Sequence, residues 1–255
     1  MNVPTLTLRQ VRFTNKAFWR NPPAWFFTFA FPLMFLVIFT TLLGNGSVQV
    51  GGKEIQESTY YVAAMAAFGV ITACYTNMAI SVSFQRDQGI LKRTRGTPLP
   101  GGAYLTARVI HSMLMAILLV VISAAFGAAF YNAALPSGVS LLRFIVILLV
   151  GSASFCALGL AVTALIPNAD AAPAVVNATI LPLLFLSGVF IPVGDDAPTW
   201  IQWVGRIFPV RHFAEAMGAG FIGTPFHWQD TLNVAIWGLA GLLLAARYFT
   251  WEPRR

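Results

Sequence analysis

The sequence predicts an all-α polytopic membrane protein: six transmembrane helices, an N-terminal amphipathic interface helix, and a reentrant helical hairpin between spans 5 and 6. Three observations carry this expectation. Hydrophobic residues make up 57% of the 255 positions and charged residues 10%, against roughly 45–50% and about 25% in a soluble domain. Mean hydropathy is +0.72. Six apolar runs of about 17–25 residues each have the length a helix needs to cross roughly 30 Å of hydrocarbon. This composition excludes a secreted disulfide scaffold, a disordered chain and an ordinary soluble enzyme. Long apolar runs, rather than short alternating segments, also argue against a transmembrane β-barrel.

Residues 1–24 precede the first run. Leu6, Val11 and Phe13 interleave with Arg9, Arg12 and Lys16, and Phe18 and Trp19 follow before Arg20. The pattern predicts an amphipathic helix lying in the cytoplasmic interface and ending at Pro22-Pro23. The competing reading is a basic leader that only fixes topology. The apolar run from Trp25 is longer than a signal-peptide core, so no cleavable signal is expected. The remainder, 25–255, holds spans at 25–43, 60–84, 109–130, 144–166, 171–191 and 232–249, the last with Arg247 able to snorkel.

An even number of spans puts both termini on one side. That side collects Arg9, Arg12, Lys16, Arg20, Arg86, Lys92, Arg93, Arg95, Arg108, Arg247, Arg254 and Arg255, and the other only Lys53, Arg143, Arg206 and Arg211. The bias makes both termini cytoplasmic and places the chain in a plasma (inner) membrane as a multi-pass protein. It also accounts for the net charge of +7 without nucleic acid, for which no groove motif is visible.

The segment 192–230 is the longest external one. Trp200, Ile201, Trp203, Val204, Ile207 and Phe208 are apolar at helical spacing, and Phe213, Ala214, Met217 and Phe221 resume the pattern after Pro209. Two short helices dipping into or lying on the outer leaflet are expected. A plain aromatic belt is the competing reading.

Several chemistries have no sequence support. Gly52-Lys53 is followed by Glu54, and Ser47 stands where a nucleotide-binding loop needs its first glycine. His111, His212 and His227 have no metal spacing, and Cys74 and Cys156 read as small core residues. The six runs contain no Asp or Glu, which argues against an ion-coupled carrier, an intramembrane protease or a redox protein. Asn77 and Asn177 are candidate pathway-lining residues, although helix–helix hydrogen bonding is the plainer reading. Asn45-Gly46-Ser47 is a chance sequon on the outer side.

The most informative stretch follows span 2, at 86–98. Arg86, Asp87, Lys92, Arg93 and Arg95 surround Gly89, Ile90 and Leu91, and Pro98-Leu99-Pro100 stops the segment. A short helix here carries a basic face and an apolar one, suited to docking on a soluble partner. A solvated basic loop is the bland alternative.

These residues resemble the ABC-2 type transporter permeases, in particular the drug-resistance branch with the daunorubicin-resistance permease. That family has a similar Gly-x-Leu-Lys-Arg-x-Arg-x-Thr-Pro-Leu run. A second match is the stretch 181–192 with Pro182, Phe185, Ser187, Gly188 and Pro192, followed by Pro198, Trp200 and Pro209. Ala197 and Phe208 depart from the family's Met and Asn. The resemblance implies a half-transporter that pairs with a second copy and binds two copies of a separate ABC ATPase. ATP and Mg would then reside on that ATPase, no cofactor on this chain, and this chain would be a transport subunit and not an enzyme. Residues 1–24 would be the interface helix and 86–98 the coupling helix, while 192–230 would cap the outer side of the path. The function so implied is ATP-driven export of a lipophilic or amphipathic compound (a drug, an antibiotic or a lipid) from the cytoplasm or inner leaflet. Polysaccharide or glycolipid export is the runner-up. A passive channel or scaffold without an ATPase is the other class, and neither needs a docking helix at 86–98.

Overall fold

The computed structural model describes residues 2–43, 46–50, 53–190 and 198–253. It is a helical bundle. Helix α1 spans Val3–Trp19. Five helices have the length and apolar composition to cross a membrane: α2 (Pro22–Leu42), α3 (Glu57–Asp87), α5 (Gly101–Tyr131), α6 (Gly138–Val162) and α10 (Trp228–Tyr248). Four shorter helices complete it: α4 (Ile90–Arg95), α7 (Ala172–Leu186), α8 (Thr199–Ile207) and α9 (Pro209–Ile222).

Helix α3 is the hub. Nearly every residue from Ser58 to Ile71 is buried, because α2, α5, α6 and α9 all pack around it. A helix apolar on every side is the expected occupant of such a site. It contains a π-helical turn at Thr72–Thr76, and α2 contains another at Phe26–Ala30. The first faces α6 at Gly159, where a Cβ would meet the carbonyl oxygen of Tyr75 at 2.7 Å.

Helices α6 and α10 make the most extensive pairing. The contact depends on small residues, as membrane helix pairs do. A Cβ on Gly238 would lie 2.2 Å from Ser154 Oγ and 2.8 Å from its Cα. The outward faces of both helices remain apolar and exposed, including Leu239, Leu242, Leu243, Leu142 and Leu149, as lipid contact requires.

The structure departs from the sequence expectation at three places. The run predicted to be span 5, 171–191, holds a helix of 15 residues, Ala172–Leu186. That is about 22 Å at 1.5 Å per residue, short of the roughly 30 Å core. It stops because Gly188 turns at φ +79 and Ser187 Oγ donates back to Leu184 O. The carbonyl of Gly188 accepts from Tyr60 OH of α3. Second, spans 3 and 4 begin as helix at Gly101 and Gly138, not 109 and 144, and the second of these ends at Val162, not 166. Third, an antiparallel hairpin, β1 (Ser47–Val50) and β2 (Lys53–Gln56), leads into α3. The sequence signal for it was the alternation around Gly51-Gly52. Residues 51–52 lie outside the described residues, as do Asn45 of the sequon, Pro192, Ala197, Arg254 and Arg255.

Where a reentrant segment was expected, α8 and α9 meet at Phe208–Pro209. Helix α9 is buried on most of its surface, with Phe213 against Phe155 and Phe221 against Phe144. Helix α8 leaves Trp200 and Trp203 exposed. Lys53 Nζ donates to Gly223 O, closing the hairpin over the end of α9.

Replacing Gly238 by Val forces α10 off α6. We expect a fall of several degrees in the unfolding midpoint of the detergent-solubilised protein, in line with about 1–3 kcal/mol for overpacking. Leu239→Val on the exposed face leaves the midpoint unchanged. An equal midpoint for both variants contradicts the packing described.

Candidate functional site

The basic segment predicted at 86–98 divides in two. Arg86 and Asp87 are the last turn of α3, not part of a docking helix. Arg86 is 1% exposed. Its Nη1 donates to Thr163 O at 2.9 Å and its Nη2 to Ile166 O at 2.6 Å. Those carbonyls lie just past the end of α6 at Val162, where the Thr163 carbonyl also accepts from the Ile166 N–H at 3.3 Å and the Arg86 donors complete the turn. Asp87 Oδ2 accepts from the backbone N–H of Ala169 at 2.6 Å, and Asp87 Oδ1 lies 3.9 Å from Arg86 Nε. The pair therefore binds the α6–α7 connection to the end of α3. The expectation that Arg86 and Asp87 face a partner is corrected on this geometry: both side chains are spent inward.

The remaining segment is α4. Gly89 makes the turn from α3 at φ +67, a left-handed conformation glycine adopts at little cost. Its carbonyl accepts from Arg93 N–H. Leu91 is fully buried and anchors α4 on the bundle, whereas Ile90, Lys92, Arg93, Arg95 and Pro98 are exposed. Arg93 Nη2 donates to Gln88 O at 3.0 Å and Thr94 Oγ1 to Ile90 O at 2.8 Å. The result is a one-and-a-half-turn helix, held on one side and basic on the other.

Sequence reasoning missed a second polar cluster beside α4. Arg108 of α5 donates through Nη1 to Gln85 Oε1 at 2.8 Å and through Nη2 to Ser81 Oγ. Tyr104 OH donates to the same Gln85 Oε1, and the Arg108 cation stands 5.9 Å from the Tyr104 ring. Among the described residues no carboxylate pairs with Arg108. The signal was available as two polar pairs, Ser81/Gln85 and Tyr104/Arg108, each at i, i+4 spacing on one helix face. By contrast, the partners of Arg86 are backbone atoms, which leave no side-chain signature.

Helix α1 lies against α5, with Thr7 and Phe18 buried and Phe18 5.3 Å from His111 between ring centroids. Arg9, Arg12, Lys16 and Arg20 are on its exposed surface, along with Leu8 and Phe13. At the opposite end, Pro182 and Phe185 are exposed on α7 and Ser187 is buried. Pro198 precedes α8, and Pro209 opens α9 at its first residue. There His212 bridges α8 to α10, Nε2 to Arg206 O at 2.8 Å and Nδ1 to Asp230 Oδ1 at 2.7 Å. Asn77 is half-buried on α3 and Asn177 exposed on α7, and no hydrogen bond joins them. No group of His, Cys, Asp and Glu suited to a metal occurs among the described residues.

Arg86→Gln removes the donor that Arg86 gives to the Ile166 carbonyl and the second of two donors to the Thr163 carbonyl, a loss of about 1–3 kcal/mol. We expect a marked drop in the unfolding midpoint, and none for Arg93→Gln. Equal midpoints would show that the Arg86 bonds do not hold the bundle end together.

Comparison with known proteins supplies the family. A family model described as ABC-2 type transporter matches residues 5–222. Among curated proteins, YvfS of Bacillus subtilis (strain 168), described as a transport permease, is 25% identical over 214 residues, 84% of either chain. Nodulation protein J of Rhizobium leguminosarum bv. trifolii is 30% identical over 196 residues, 76% of this chain and 72% of its own. YbhR of Escherichia coli (strain K12), named a probable multidrug ABC transporter permease, is 27% identical over 137 residues, 54% of this chain and 36% of its own.

Proposed function

Because this chain belongs to the ABC-2 type transporter family and is a membrane permease of an ABC transporter, we propose that it exports a lipophilic or amphipathic compound, driven by a separate ABC ATPase that docks on α4. The observation that carries the proposal is the construction of α4. It presents Lys92, Arg93 and Arg95 outward while Leu91 fixes it to the bundle. A rigid basic knob at a helix–helix corner suits a cleft with acidic or polar groups. In the proposed arrangement two copies of the chain pair, each seating one ATPase, and α1 lies along the cytoplasmic interface. Both termini are cytoplasmic, which puts α4 on the ATPase side.

The mechanism follows from what α4 touches. Displacement of α4 moves the end of α3, since only Gln88 and Gly89 separate them. Through Arg86 the same displacement reaches Thr163 and Ile166, and through Asp87 it reaches Ala169. A push at one point therefore moves α3, α6 and the start of α7 together. In the proposed arrangement the apolar run 171–191, which holds α7, counts as the fifth of six spans. The elbow at Phe208–Pro209 reenters from the outer side. The acid-free spans favour a weakly polar cargo, and the name of the Escherichia coli relative is in keeping with such cargo.

Co-purification with the ATPase encoded nearest this chain tests the proposal. We expect the wild-type chain to retain the ATPase and stimulate its turnover in nanodiscs. Arg93→Glu with Arg95→Glu is expected to cut both at least tenfold while the permease still inserts and folds. An ATPase that never associates, or one indifferent to the double reversal, overturns the docking reading and favours a passive pore or scaffold.

A further inference from the structure

A groove of about 740 Å³ lies between α6, α7 and α10, with Tyr75 of α3 at its floor and the Phe208–Pro209 elbow at one end. It is within the range of ligand sites, roughly 300–1,000 Å³. Helix α7 packs on α3, α8 and α9 and stands off from α10, so the groove is a gap in the wall of the bundle.

Its polar atoms are already committed. Tyr75 OH and Thr179 Oγ1 are 2.7 Å apart and bonded to each other. Thr179 Oγ1 also donates to its own helix at Val175 O and Val176 O. Trp237 Nε1 donates to Ile207 O at 2.9 Å. What remains exposed to the groove is hydrocarbon. An occupant therefore gains nothing from hydrogen bonds and everything from apolar contact.

The length of the groove is as informative as its chemistry. Along α10 it runs from Trp237 to Tyr248, and along α6 from Phe155 to Val162, with Ala164 and Leu165 of the connection beyond. At 1.5 Å per residue the helical stretches are about 16 Å and 10 Å. Half of a hydrocarbon core of roughly 30 Å is about 15 Å, the reach of one leaflet's acyl chains. The open end at Leu165 and Tyr248 is the end that carries α4. The closed end at Phe208–Pro209 falls near the middle of α10. The groove thus spans one leaflet, the one on the α4 side, and is stopped at mid-membrane.

We infer that this groove holds one acyl chain of a phospholipid from the leaflet on the α4 side, with the Phe208–Pro209 elbow as its stop. The chain lies parallel to α6 and α10 and fills the gap that α7 leaves. The inference is independent of the transport reading, since it needs neither an ATPase nor a cargo.

The test uses the full chain in nanodiscs of phosphatidylethanolamine and phosphatidylglycerol doped with a phospholipid carrying a photoactivatable diazirine in its acyl chain. Labelled residues are mapped by mass spectrometry. Labelling of Leu158, Leu183 and Leu244 is expected to exceed that of Leu118 and Val121, on the exposed face of α5, by several-fold. Ala161→Trp and Leu183→Trp fill the groove from opposite walls, and each is expected to remove the excess while leaving the α5 labelling intact. Two variants on different helices guard against one that fails to fold, and the unchanged α5 signal marks a folded bundle. Labelling that is uniform over all apolar faces, or an excess that survives both substitutions, overturns the inference. So does cross-linking of the groove residues to a second copy of the chain in place of lipid.

Discussion

The guanidinium of Arg86 sits where three chain segments meet, and the α4 end of the bundle is organised around it. A buried cation is tolerated only when its donors are used. Here two of them are used on the carbonyls of Thr163 and Ile166, just past the end of α6. One side chain thus serves as the cap of α6, the anchor of the α6–α7 connection and the last turn of α3. Asp87 adds a bond to Ala169 from the neighbouring position. Because only Gln88 and Gly89 separate α4 from this pair, a displacement of α4 reaches this joint.

The same demand for satisfied backbone groups shapes the opposite end. In hydrocarbon, irregular backbone survives only where protein supplies the partners. The short helix α7 ends at a turn whose Gly188 carbonyl is taken by Tyr60. The end of α8 gives its Ile207 carbonyl to Trp237 and its Arg206 carbonyl to His212. Helix α9 is enclosed by α3, α6 and α10, and the Gly223 carbonyl at its end is taken by Lys53. Interruption of helices is thereby concentrated in α7–α9, next to the groove, while the long helices α5, α6 and α10 carry the scaffold.

Much of this was legible in the sequence, for reasons that can be stated residue by residue. Apolar runs mark membrane helices because hydrocarbon imposes one length and one composition, so five long helices fell where expected. Pro209 marked the α8–α9 break because proline cannot continue a helix it interrupts. The short helix α4 was legible in Ile90-Leu91 framed by basic residues and closed by Pro98. The role of Arg86 was not, because its partners are carbonyls 77 and 80 positions away and a basic residue in a basic stretch reads as more of the same. Helix α7 was overestimated because hydropathy continues through Ser187-Gly188-Val189-Phe190, although the left-handed turn at Gly188 ends the helix. The groove was invisible: it is made by the failure of α7 to meet α10, and no sequence pattern encodes a gap.

The central claim is that Arg86 makes α4 and the α6–α7 connection one mechanical unit. Hydrogen–deuterium exchange on the permease in nanodiscs, wild type against Arg86→Gln, tests it most directly. The account predicts slow exchange at 88–96 and at 163–171 in the wild type, and a rise in both segments together in the variant, with α5 and α10 unchanged. A rise confined to one of the two segments, or none in either, would contradict it.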